Sequence, residues 1–317
     1  MVLQTIVTTI LDIKVDYDFK LTAAAYNFSW YFNGKELLIP LSCEEPVVAL
    51  VKEESEKQLQ ARILSMKKEV DVDKYLAKIK FVLGIEEDLK EFYNIWAKDK
   101  LFRKSLGILK GIHLRSTSLW NALLIGICQQ NASFKQGWKM LAMMYKILGK
   151  KVTVERWGMT YLPPSPRDIL SNINLLKACR LGYRAGTVVN VAKAFANNVL
   201  SEDKSSEYVE EDLVKVKGVG SYTARLALVL AARKYERPPI DRWLRKIISV
   251  VYKVPERLAE ETWVKIWGKW GGLSSVITTI ILDAETLSNA LARVAKGRTY
   301  PILESKEMTP LTLWKHV

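Results

Sequence analysis

Cysteine is scarce and scattered: Cys43, Cys128 and Cys179 stand far apart, and no Cys-x-x-Cys pair occurs. That argues against a disulfide framework or a thiolate zinc site and suits a reducing compartment. Histidine is scarcer still. His113 and His316 alone cannot build a histidine-rich metal centre or a shared catalytic pair. No apolar run reaches the length of a membrane span, and no basic stretch precedes the apolar N-terminus, so neither a transmembrane helix nor a secretory leader is expected. Internal repeats and low-complexity tracts are missing too. What remains is an intracellular globular chain. Its 317 residues are 49% hydrophobic and 26% charged, enough to bury a large core, and the formal net charge is +14. Such an excess of cations points towards a polyanion partner. A lysine-rich surface without one accounts for the charge equally well, so the motifs must decide.

In chain order, residues 5–15 are β-branched, and residues 19–41 read as two strands joined at Asn33-Gly34, a strong hairpin signal. Residues 47–65 repeat the theme of strand, polar turn and strand. From Val72 the apolar spacing shifts to three and four residues, the period of a helix, and residues 134–148 continue it with Trp138, Leu141, Met144 and Tyr145 facing a core. The expected class is α+β. A small N-terminal antiparallel β-sheet domain takes residues 1–85, a large all-helical domain 86–290 and a C-terminal extension 291–317.

The most informative stretch is 213–245. A helix over 207–216 meets Lys217-Gly218-Val219-Gly220, and Ser221 caps a second helix from Tyr222 to about Lys234. Glycine takes positive φ without steric cost, so this spacing permits a hairpin turn. The second helix then presents free N–H groups and the positive end of its dipole, which suits a phosphate. Lys215, Lys217 and Arg225 are near enough in sequence to add counter-charge. Arg237-Pro238-Pro239-Ile240 forces an extended approach to Asp241, which opens a third helix. Asp241 can cap that helix, since aspartate is among the best N-caps. Upstream, an apolar helix from Ser118 ends in Gln129-Gln130-Asn131, an amide cluster that needs solvent or a polar partner. Downstream, Gly271-Gly272-Leu273-Ser274-Ser275 reads either as a second phosphate-binding helix start or as an ordinary capped helix.

A hairpin followed about twenty residues later by Pro-Pro-x-Asp resembles the helix-hairpin-helix DNA glycosylases. The resemblance is clear over about residues 100–285 and faint over 1–80, where Phe28-Ser29-Trp30 looks like the end of their opening strands. It implies that Asp241 is the catalytic carboxylate. It also implies that Lys215, Lys217, Gly218, Val219, Gly220 and Thr223 grip a DNA phosphate, and that Asn131, beside Gln130, is the wedge filling the hole left by a flipped nucleotide. Leu181-Gly182-Tyr183-Arg184-Ala185 resembles the turn before the hairpin helices, with Arg184 read either as a surface cation or as a tie between two helices, the structural role being preferred.

Family members that nick DNA carry lysine just after the Gly-x-Gly-x turn. Here that residue is Tyr222, and a phenol cannot form a Schiff base. The resemblance therefore implies hydrolysis by water, with Tyr222 lining the base pocket. It implies as partner double-stranded DNA with a damaged base, bound by a monomer. Many endonuclease-like and adenine-mismatch relatives hold an iron–sulfur centre on four clustered cysteines. None cluster here, so no cofactor is expected, and a monovalent ion at the hairpin is left open. The combination most resembles the alkylation-repair 3-methyladenine glycosylases, whose cationic bases suit an aromatic pocket. Trp30, Trp120, Trp243 and Trp270 are further pocket candidates that read as readily as core. The alternatives are a thymine- or uracil-mismatch glycosylase and a non-catalytic DNA-binding hairpin module.

Overall fold

A computed structural model describes residues 2–317. Four strands come from the N-terminal part: β1 (Val2–Asp12), β2 (Glu36–Ser42), β3 (Val47–Ser55) and β4 (Gln58–Ser65). They pair antiparallel in the order β2-β3-β4-β1. Alternating side chains leave a strand on opposite faces. Thus Leu37, Ala49 and Ile63 pack into one hydrophobic cluster, whereas Leu38, Leu50 and Leu64 belong to the large core that also holds the helices. The sheet is buried on both faces at β2 and the first half of β3, which explains the continuous apolar run there, whereas β1 is exposed at most of its positions.

Only the second half of the 19–41 hairpin is a strand. Phe19–Ala24 forms a short helix, α1, capped by Asp18, whose Oδ1 accepts from Leu21 N at 2.8 Å. Alanine-rich sequence favours that outcome. The Asn33-Gly34 turn stands as expected: Asn33 Oδ1 accepts from Lys35 N and Glu36 N, and Gly34 takes φ +91°.

The helices that follow are α2 (Val72–Leu83), α3 (Lys90–Trp96), α4 (Leu106–Leu109), α5 (Leu119–Gln129) and α6 (Phe134–Leu148). The central region is not all-helical. A small hairpin, β5 (Lys151–Val154) and β6 (Gly158–Tyr161), extends the sheet, with β5 parallel to β1. Buried Val152 and Val154 alternate with exposed Lys151 and Thr153, the mark of a half-covered strand. Next come α7 (Pro166–Ser171), α8 (Arg184–Ala196), α9 (Glu210–Leu213), α10 (Ser221–Ala232) and α11 (Arg242–Tyr252). Finally α12 (Ala259–Trp267), α13 (Gly271–Ile281) and α14 (Leu287–Ala295) lead into an irregular tail.

That tail folds back on the N-terminal part. Tyr26 N donates to Pro310 O at 2.7 Å, Ser29 N to Val317 O at 2.6 Å, and Trp314 packs edge-on against Phe32. The molecule is α+β, with sheet, helices and tail sharing core contacts. Among the described residues no helix is long and apolar enough to cross a membrane.

Candidate active site

The first hairpin helix is a single turn, α9, shorter than its apolar spacing predicts, because Val209 is extended. The chain then reverses through Gly218 at φ +95°. A Cβ at this residue would lie 2.2 Å from Thr187 Oγ1, so conformation and contact both demand glycine. Gly220 is different. Its φ of −97° is open to any residue, and nothing lies within 4 Å of where its Cβ would be. The N–H groups of Gly220, Ser221 and Tyr222 find no acceptor among the described residues, at the exposed positive end of α10. An anion fits there. Buried Val219 anchors the turn, its N–H donating to Val216 O at 3.0 Å.

The surrounding cations divide. Lys217 is exposed and takes part in no ion pair among the described residues, while Lys215 holds Asp212 at 3.0 Å. Arg225 does not serve as counter-charge: it bridges Glu210 at 2.6 Å and Glu260 at 2.5 Å, so two carboxylates already neutralise it. Nor does the Thr223 hydroxyl meet the turn's outer surface. The side chain is buried, and its Oγ1 accepts from Gln130 Nε2 at 2.9 Å.

Gln130 also donates to Gly218 O at 3.1 Å, locking the end of α5 to the hairpin. As a wedge it is therefore corrected to a brace. Asn131 stands free beyond it, exposed and left-handed at φ +45°, its amide donating to Tyr183 Oη at 3.1 Å. Tyr183 is 61% exposed, a surface aromatic whose role the sequence did not signal. Arg184 lies over the Tyr183 ring and donates through Nε to Gln130 O at 2.9 Å, the interhelical tie that was expected of it.

Behind the hairpin, the Pro-Pro approach delivers Asp241 to the head of α11, where Oδ1 accepts from Leu244 N at 2.8 Å. Asp241 borders a cleft of about 1340 Å³ that Tyr26, Phe134, Trp138, Tyr222 and Trp243 also line. The cleft admits solvent to the carboxyl. Even so, the surrounding protein withdraws enough water to raise its pKa above the usual aspartate value, against the lowering effect of the Leu244 and Trp243 N–H groups. Burial, and then the charge of Asp241, raise the Tyr222 phenol far above its usual range, so it stays neutral. Its hydroxyl has no partner among the described residues.

Against proteins of known identity, no family model matches the chain. Over 220 residues it is 22% identical to a probable N-glycosylase/DNA lyase of Methanothermobacter thermautotrophicus, spanning 61% of this chain and 70% of that one. It superposes on a 3-methyladenine DNA glycosylase from Archaeoglobus fulgidus with a TM-score of 0.72 at 20% identity, covering 84% and 96% of the two chains. The apo 8-oxoguanine glycosylase/lyase of Clostridium acetobutylicum gives 0.67 at 17% identity, covering 87% and 97%. The chain shares the fold of these DNA glycosylases. One fold thus underlies relatives named for different bases, so the fold alone does not choose a substrate.

Within this fold, the second glycine-rich helix start is no phosphate site. Gly271, Gly272, Ser274 and Ser275 are buried at the head of α13, and both serine hydroxyls donate to Gly271 O. A Cβ on Gly272 would stand 2.6 Å from Val229 and 2.9 Å from the Tyr235 backbone. Of the tryptophan candidates, Trp30 and Trp270 are core, Trp120 is buried yet borders the cleft, and half-buried Trp243 is held there by Nε1 donating to Glu285 O.

Proposed function

We propose that the protein is a base-excision DNA glycosylase that takes a damaged base from duplex DNA into the cleft and hydrolyses its N-glycosidic bond with water. The observation that carries this reading is the convergence of Asp241 and Tyr222 on one aromatic-lined cleft beside an open hairpin turn.

Breaking the bond leaves positive charge on the deoxyribose. The Asp241 carboxylate stabilises that cation and orients or deprotonates the attacking water, which bonds to the sugar carbon as the base departs with the electron pair. Its raised pKa makes it a better base than an ordinary aspartate. The turn at Gly218–Gly220, with Lys217, holds a backbone phosphate, and Asn131 fills the gap in the stack. Tyr222 stands where strand-nicking members carry lysine, and a neutral phenol offers no amine for a Schiff base. The product is then an abasic site with its strand intact. Aromatic walls favour electron-poor, cationic alkylated bases.

Single-turnover base release from duplexes carrying one 3-methyladenine analogue, hypoxanthine, 8-oxoguanine, or uracil or thymine opposite guanine tests this directly. Release of the alkylated base, with nicking only after alkali, is expected. Release from the mismatches alone would transfer the assignment to a mismatch glycosylase. A borohydride-trapped adduct would refute the water mechanism, and tight binding with no release would leave only a DNA-binding module.

A further inference from the structure

Tyr26 is a bulky residue in the left-handed region, at φ +51°. That conformation is strained in any residue with a Cβ, and glycine would take it freely. Four restraints from separate parts of the chain nevertheless hold a tyrosine there. Its N–H donates to Pro310 O of the tail at 2.7 Å. Its hydroxyl donates to Val276 O at 3.0 Å and meets Thr279 Oγ1, both on α13. Its ring stacks on Trp138 of α6, with centroids 5.8 Å apart and planes 24° from parallel. The fourth restraint is Arg115, which has no carboxylate partner among the described residues. Its guanidinium donates instead to Thr22 O at 3.0 Å, Ala25 O at 2.7 Å and Tyr26 O at 3.4 Å, gathering the carbonyls at the end of α1.

Strain held in place from several directions clusters at functional sites. Tyr26 and Arg115 both border the cleft that holds Asp241 and Tyr222. We infer that Tyr26 is a wall of the base pocket that determines which bases are excised, and that Arg115 is the residue positioning it. This rests on the glycosylase reading, since a wall matters only if a base enters.

The test separates the base from the rest of the DNA. Release rates are measured from duplexes carrying 7-methylguanine, hypoxanthine or 8-oxoguanine, alongside affinity for a duplex with a tetrahydrofuran abasic analogue, which places no base in the pocket. Tyr26→Leu is expected to slow release of the preferred base by about tenfold or more, and of any other released base by a different factor. Abasic-duplex affinity should stay within about twofold. Arg115→Lys should give the same pattern more weakly. Tyr26→Phe, which keeps the ring but loses its tie to α13, should shift rates the same way by about threefold, and it serves if the leucine variant does not fold. Unchanged release, or release falling in step with abasic-site affinity, would overturn the assignment while leaving the enzyme reading intact. A wild-type protein that releases no base at all would overturn both.

Discussion

The turn into α10 and the start of α13 carry the same outward signal, glycines followed by hydroxyl side chains at the head of a helix. At α13 the glycines admit the protein's own chain. Tyr235 and Val229 press against Gly272, whose N–H donates to Tyr235 O at 2.6 Å, and both serines turn back onto Gly271. At α10 the two glycines divide the work: Gly218 admits Thr187, while Gly220 faces open space with unpartnered N–H groups around it. A glycine at a helix start reports that something comes close. Whether that something is the chain itself or a ligand is decided by residues far away in sequence.

The largest effect is expected at a third helix start, that of α11, where capping and chemistry fall on one residue. Asn caps as well as Asp, so Asp241→Asn should keep the helix. Because burial raises the Asp241 pKa, the folded state binds that proton more tightly than the unfolded chain does, so this group's contribution to stability improves as pH falls and is unfavourable at neutrality. The variant should therefore melt no lower than wild type. Its single-turnover release should nevertheless fall by about 10²-fold or more, with lesion-DNA binding retained. In the wild type the acid limb of the rate profile should lie above the ordinary aspartate value of 3.8. Full activity in Asp241→Asn would reduce this residue to a cap and make α11 like α13.

The two glycine sites should separate next. Gly272→Ala forces a methyl into Val229 and the Tyr235 backbone, and an overpacked core typically loses about 1–3 kcal/mol, which thermal or urea melts would detect. Gly220→Ala has room, so its stability should change by less than about 1 kcal/mol. Its DNA affinity should drop several-fold, because the new methyl stands where the backbone would meet a phosphate. The reverse pattern, with stability lost at 220 and DNA affinity at 272, would exchange the two assignments.

What was legible in the sequence follows the same division between local and distant causes. The hairpin, the Pro-Pro approach and the α11 cap are written within a few residues of where they act. So is α6, whose bounds are set by apolar spacing and by the Ser133–Gln136 capping box. The short apolar run at 19–25 suits strand or helix alike, and the Asp18 cap tipped it to helix. β5 and β6 are four residues each and exist because β1 offers an edge. Arg225 looked like a phosphate ligand until Glu260, 35 positions away, occupied it. Tyr26 left no local mark, since its conformation is imposed by α13, the tail and Arg115 together.

The smallest effect lies within the hairpin and tests whether its open side is truly where DNA sits. Each phosphate neutralised by a cation contributes about −0.9 to the slope of log affinity against log salt. Lys217, unpaired beside the turn, should supply one such contact, so Lys217→Ala should flatten the slope by about 0.9 in titrations across several salt concentrations. Lys215 already spends its charge on Asp212, so Lys215→Ala should flatten it by less than half as much. Equal changes would mean that the Asp212 pair opens on DNA and that the contact reaches back into the first helix of the hairpin. No change at Lys217 would place the DNA elsewhere. The free N–H groups at Gly220 would then be an ordinary solvated helix start, and the contrast with α13 would be one of burial alone.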